Sequence, residues 1–309
     1  MLRKFLSKLL ILLGLTTAGL AIAQTAPAPA PKPAPTRVAT TDADPALWVV
    51  KDADTTIYLF GTVHVMKPGL SWFDEGVKAA FDASDELVLE MVQPDTATMQ
   101  KIVVSKAFSK DGPTLPEQLA PADRAAYLKA LTDLGLPTAA FDRAKPWFAA
   151  TNLSILPLLK LGYDPASGPE TVLTTAANAA KKPIEGLETA EQQIGFLSTL
   201  PNATQVKFLT ATIRDLPKTA QSMDDMVAAW SQGDPAKLGV IMNDGLDESP
   251  YLASALLFDR NARWAQWIKT RLDKPGTVFI AVGAGHLAGK LSVIDQLQKL
   301  GLSATRVVY

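Results

Sequence analysis

Two stretches decide the fold: residues 57–64, IYLFGTVH, and residues 278–286, VFIAVGAGH. Each is an apolar, largely β-branched or aromatic run that ends in Gly-x-x-His. A run of this kind, short and without alternation, is the pattern of a strand covered on both faces. Residues 277–282 (TVFIAV) form the clearest strand of the chain and are expected at the centre of a sheet. The glycine permits a tight turn and close approach of other groups at the strand end. The residues that follow then lie at the carboxyl edge of the sheet, where open α/β sheets bind ligands.

Working outward, residues 47–50 and 56–60 flank a polar segment carrying Asp52 and Asp54, which reads as a hairpin. Residues 86–91 (ELVLEM), 183–186 and 304–308 complete the strand candidates. Helical spacing with Pro and Gly punctuation predicts helices over 72–83, 121–134, 146–161, 169–180, 189–200, 203–214, 223–231, 250–272 and 287–300. Strands therefore gather near both ends of the sequence and helices fill its middle. The fold class is α/β: a central mixed sheet built from both chain ends, with a large helical middle section.

The chain has 309 residues, and its residues 42–309 are expected to form one domain. Residues 1–23 read as a signal peptide: Arg3, Lys4 and Lys8 precede an apolar stretch, and Ala21-Ile22-Ala23 precedes Gln24 as a small-x-small cleavage site. Residues 24–41 form an Ala/Pro-rich linker, for which proline favours an extended, stiff conformation. Export to a bacterial periplasm or exterior is expected, with no stable membrane span after cleavage. Thirty basic against thirty-one acidic residues give a net charge of −1, which argues against nucleic acid as a partner. Cysteine is absent, so disulfides, thiolate metal sites, a cysteine nucleophile and a lipidated N-terminal cysteine are excluded.

His64 and His286 are the only histidines, and they share one grammar. His286 is expected at the N-terminus of helix 287–300, where the helix dipole would keep it neutral and able to bind a metal or accept a proton. Glu90 lies near the end of the 86–91 strand candidate and is expected to reach the same sheet edge. Two histidines and a glutamate with an open position form a known catalytic metal arrangement, so His64, His286 and Glu90 are the expected ligands of a divalent metal ion.

These residues resemble the TraB/GumN family, which includes the Tiki-like proteases. The motifs that carry the resemblance are Gly61-Thr62-Val63-His64, Ala83-Ser84-Asp85 with Glu90, Lys145-Pro146-Trp147, Gly186-Leu187-Glu188-Thr189 followed by Gln192-Gln193, Arg260-Asn261, and Val282-Gly283-Ala284-Gly285-His286-Leu287. The resemblance covers roughly residues 47–308. It implies a fold similar to the erythromycin esterase and ChaN-type proteins. For the Tiki branch it implies metal-dependent peptide hydrolysis by His64, His286 and Glu90. Arg260 matches a family arginine that holds a substrate carboxylate or an oxyanion, and Glu188 is a second acid, with a helix N-terminal charge as its plainer role.

Two function classes follow. One is a metal-dependent, peptidase-like hydrolase acting on a peptide or small-molecule substrate. The other is a non-enzymatic binder of haem, metal or peptide, as the ChaN relationship allows. A metal-free variant with histidine as general base lies between them. No GxSxG elbow, GxGxxG loop or Walker motif is present.

Overall fold

The computed structural model describes residues 40–243 and 250–309. The expected signal peptide and all but the last two residues of the Ala/Pro linker lie outside the described residues.

The strands are β1 (Thr41–Asp42), β2 (Leu47–Lys51), β3 (Thr55–Thr62), β4 (Leu70–Ser71), β5 (Glu86–Met91), β6 (Ile184–Glu188), β7 (Gly276–Gly283) and β8 (Thr305–Arg306). The main sheet has six strands in the order β6-β5-β7-β3-β2-β8. As expected, the strand at 277–282 is interior: β7 pairs in parallel with both β3 and β5. The hairpin forms where it was read. Leu47 pairs with Phe60 and Lys51 with Thr56, antiparallel, and Asp52 closes the turn by accepting the Thr55 N–H at 2.9 Å. β8 adds antiparallel to β2, so both chain ends share one sheet.

Helix α1 (Glu75–Ala83) precedes β5, and between β5 and β6 run α2 (Thr96–Ala107), α3 (Pro121–Asp133), α4 (Pro146–Lys160) and α5 (Pro169–Ala180). Between β6 and β7 run α6 (Ala190–Ser198), α7 (Asn202–Asp215), α8 (Thr219–Ser231), α9 (Pro235–Asn243), α10 (Pro250–Ala253), a π-helical turn (Ser254–Phe258) and α11 (Asp259–Arg271). The final helix is α12 (Val293–Lys299). Helices α2 and α9 are ones that the sequence pattern did not single out.

Side-chain alternation along the strands sends consecutive residues to opposite faces, and both faces are covered. Ile57, Leu59, Val88, Val278, Ile280 and Val282 meet Trp264 and Ile268 of α11 and Leu297 of α12. Phe60, Leu87, Leu89, Phe279 and Ala281 meet the helical middle section. There Phe60 stacks on Trp72 at 5.4 Å and meets Trp230 of α8 edge-on at 6.1 Å. Trp230 also donates Nε1–H to the Gly61 carbonyl at 2.7 Å, which ties the helical section to the first Gly-x-x-His turn. Pro146 opens α4 at its first turn and Trp147 is buried in the core. Among the described residues no helix is long and apolar enough to cross a membrane.

Candidate functional site

The parallel register of β3 and β7 sets Gly61 against Val282 and Thr62 against Gly283. Both histidine-bearing turns therefore leave the same edge of adjacent strands. They also touch. A Cβ on Gly61 would lie 3.1 Å from the Ala284 Cα, tighter than nearly all real contacts, so glycine lets one turn lie against the other.

His286 departs from its expected setting. It closes a short 3-10 turn, Ala284–His286, and the following helix begins only at Val293, after Leu291 with φ 58° and the Ser292 cap. The helix dipole is therefore not what keeps it neutral. Asn261 Nδ2 donates to the Leu291 carbonyl at 2.8 Å, which turns its Oδ1 toward His286 Nδ1 at 2.6 Å. Nδ1 must then carry the proton, and Nε2 accepts from Arg260 Nη1 at 3.1 Å. Burial first, then the charge of Arg260, then His64, hold the His286 pKa well below the usual histidine range.

Arg260, on α11, is completely buried and is the centre of the cluster. Its Nε donates to Glu188 Oε1 at 2.9 Å, and its Nη2 reaches Glu90 Oε2 at 2.6 Å and Glu188 Oε2 at 2.7 Å. Its Nη1 serves the Leu256 carbonyl, in the π-helical turn, as well as His286. All five guanidinium N–H groups are thus engaged, leaving none for a substrate oxyanion or carboxylate. The expected role of Arg260 as a substrate-contacting group does not fit this geometry. Its ring neighbours are Trp264 at 4.7 Å and Phe196 at 5.4 Å.

Glu90 stands at the functional end of β5 as expected, while Glu86 pairs with Arg271 at the other end. Glu90 Oε1 accepts the Gly283 N–H at 2.7 Å, anchoring the second Gly-x-x-His turn. Glu188 is not a helix N-terminal charge: Thr189 caps α6 in a capping box with Gln192, and the Glu188 carboxylate faces Arg260. Gln193 bridges the two acids, donating to Glu90 and Glu188 at 3.2 Å each. Arg263 approaches Glu188 Oε1 from the surface at 3.6 Å, so two carboxylates face two guanidinium groups.

His64 sits apart from this cluster in its bonding. Its Nδ1 pairs with Glu170 Oε1, which also accepts the Thr62 hydroxyl. Its side chain is 12% exposed and that of Glu170 is 26% exposed, against complete burial of His286. Burial pushes the Glu170 pKa up, but the His64 charge and hydrogen bonds from His64 and Thr62 outweigh it and leave it lowered.

The expected metal set can be tested against these partners. His286 and Glu90 do approach, at 3.7 Å between Nε2 and Oε1. However, His286 Nε2 and Glu90 Oε2 are both turned to Arg260, Glu90 Oε1 to a backbone amide, and His64 Nδ1 to Glu170. Among the described residues no three His, Asp or Glu side chains are arranged to hold one ion. A divalent ion at Glu90 and His286 would displace or abut a guanidinium that already supplies the positive charge. The three-ligand set expected from the sequence is therefore not assembled among the described residues, because His286 and Glu90 are turned to other partners.

Sequence reasoning passed over Glu170, Gln193 and Asn261. The last two stand inside motifs already quoted and lacked only a role. By position Glu170 is a first-turn acid of α5, and its partner His64 is more than one hundred residues away in sequence.

The chain belongs to the TraB/PrgY/gumN family, which it matches over residues 46–306. It is 24% identical over 254 residues to the uncharacterized protein YbaP of Escherichia coli (strain K12), covering 82% of this chain and 92% of that one. It is 23% identical over 309 residues to a metalloprotease TIKI homolog of Nematostella vectensis, covering 82% of this chain and 65% of that one. A metalloprotease TIKI homolog of Amphimedon queenslandica is also 23% identical, over 314 residues, with 84% and 61% covered. No solved structure matches the chain.

Proposed function

We propose that the protein is a hydrolase of peptide-like amide or ester bonds, acting in the bacterial periplasm or exterior, with His64 as the general base. The observation that carries this reading is the unequal placing of two matched histidines. His286 is sealed in, with both ring nitrogens committed to Asn261 and Arg260. His64 leaves the same sheet edge, is less deeply buried than His286 and pairs its Nδ1 with a carboxylate, while its Nε2 lies beneath the surface. A histidine whose Nδ1–H is bound to a carboxylate uses Nε2 to take a proton from water or a hydroxyl. The Arg260 cluster holds the turn beside it in place and supplies a fixed charge pattern. The printed names of the TIKI homologs, metalloproteases, support hydrolysis of peptides and make metal dependence the point that the assay must decide, and the leader-like residues 1–23 support export.

The test is a peptide-library cleavage assay on purified protein, run with a chelator and with added Mn2+, Co2+ or Zn2+. Cleavage that survives the chelator and disappears in His64→Ala is expected. Activity that depends strictly on added metal overturns the metal-free reading of the site. A Soret band on haem titration that is lost in His64→Ala, with no cleavage of any peptide, favours the binding-protein alternative instead.

A further inference from the structure

We infer that Glu170 is the positioning residue of His64, fixing its ring and its tautomer, and that the N-terminal end of α5 is strapped to the first Gly-x-x-His turn for this purpose. The inference rests on His64 being the working histidine.

Three features converge on the strap. First, Met66, two residues past His64, forms an antiparallel bridge with Asp164, with Asp164 N–H to the Met66 carbonyl at 2.9 Å and the reverse bond at 3.3 Å. Second, Asp164 accepts the Ala166 N–H at 2.8 Å and Thr171 Oγ1 donates to the Pro165 carbonyl at 2.9 Å, which closes the turn that leads into α5. Third, Gly168 lies against the His64 backbone. A Cβ there would sit 2.3 Å from the His64 carbonyl oxygen and 2.9 Å from its carbon, a backbone clash that no rotamer relieves. Only glycine lets α5 come this close. The result is that Glu170, two residues on, reaches both His64 Nδ1 and the Thr62 hydroxyl with one oxygen.

The chemistry follows from donor counting. An ionised carboxylate only accepts, and so does its Oε1 here. A neutral His64 ring must therefore place its proton on Nδ1. A neutral imidazole in water favours the other tautomer, so the pairing holds the ring in the form whose Nε2 is basic. Thr62, in the last residue of β3, steadies the carboxylate from the strand side. The other charged groups of the site lie in the Arg260 cluster on α11, β5 and β6; Glu90 and Glu188 bond to Arg260, and Arg260 Nη1 bonds to His286 rather than to Glu170.

The experiment uses the fact that the chain has two histidines. The nitrogen NMR spectrum of uniformly labelled protein, in buffer alkaline enough for neutral rings, then holds two imidazoles, assigned with His64→Ala. Both rings are expected as Nδ1–H tautomers in the wild type. In Glu170→Ala, His64 is expected to move to the Nε2–H form while His286 stays unchanged. Any hydrolytic kcat is expected to fall on the order of 10²–10⁴-fold with little change in KM. A His64 ring found as Nε2–H in the wild type overturns the inference, and this holds even if the variant does not fold. An unchanged His64 tautomer in folded Glu170→Ala overturns it as well. Hydrolysis absent with His64 in the Nδ1–H form refutes the proposed function and leaves this assignment standing. Hydrolysis by a wild type whose His64 is Nε2–H refutes this assignment alone.

Discussion

The Nη1 of Arg260 donates to the Nε2 of His286 across 3.1 Å, so the second Gly-x-x-His histidine serves as an acceptor for a buried guanidinium. That one contact fixes how the whole cluster is charged. Arg260 sits between Glu90 and Glu188, and the three are buried together. Replacing Arg260 by alanine leaves two carboxylates in the interior facing each other without their main partner. A loss of about 3–5 kcal/mol in denaturant unfolding is expected, the range for breaking a buried ion pair from one side. Arg260→Lys should recover only part of it, since an ammonium offers three N–H donors where five are used. A loss under about 1 kcal/mol for the alanine variant would show that the cluster is not the anchor described.

The same contact makes stability depend on pH through His286. Its folded pKa is far below 6.5, chiefly through burial and secondly through Arg260. Below pH 6.5 the unfolded chain takes up a proton that the folded chain refuses. Unfolding therefore gains free energy as the pH falls, and stability drops progressively below about 6.5. Above that pH both states carry a neutral ring and this contribution is flat. Melting temperatures measured from pH 8 to pH 5 should decline in the lower half for the wild type. His286→Asn should be less stable throughout but show a shallower decline. Parallel curves for the two proteins would refute the assignment.

Much of this fold was legible because its central strands are apolar on both faces. Residues such as Val278, Phe279 and Ile280 admit no amphipathic helix and no exposed strand. The hairpin was legible from its Asp-rich turn. The helix at 287–300 was overextended because Leu291 adopts a left-handed conformation that nothing in its side chain announces. Ser292, three residues before Asp295, marks the true start and could have been read as a cap. His64, His286, Glu90, Glu188 and Arg260 were read from the sequence and from the resemblance, and the fold places them at or beside one sheet edge. Their grouping was not legible in either, because pairing through space decides it. The family resemblance implied a substrate-facing role for Arg260, whereas the fold spends all its donors internally. Glu170 was invisible for a related reason: its role depends on Gly168 meeting a carbonyl that belongs to another element.

Gly168→Ala tests the strap from the backbone side. The added methyl meets a carbonyl rather than a flexible side-chain tip, so α5 must shift away from His64. A destabilisation of about 1–3 kcal/mol is expected, as for other overpacked contacts. His64 should report the shift in its nitrogen spectrum, losing the Nδ1–H form in part or whole. Gly61→Ala is expected to be milder, since its Cβ would stand 3.1 Å from Ala284 and need displacement of a few tenths of an ångström. Equal stability of Gly168→Ala and wild type would mean that the close approach carries no weight.

Ile280→Asp tests the sheet itself. Ile280 is 1% exposed on β7, which is flanked on both sides by parallel strands, and it faces the layer formed by Trp264 and Ile268. An aspartate there would stand among apolar side chains, and its ionised form is costly to bury. Losing the isoleucine contacts alone is worth about 2–5 kcal/mol, a large part of the roughly 5–15 kcal/mol that holds a domain folded. The variant should therefore be recovered in the insoluble fraction, whereas Ile280→Val should lose only about 0.5–1.5 kcal/mol and remain soluble. Expression and fractionation of both, with circular dichroism on whatever stays in solution, gives the answer. A soluble aspartate variant with wild-type melting would place residue 280 at an exposed edge and would also undo the register that brings His64 and His286 to one side of the sheet.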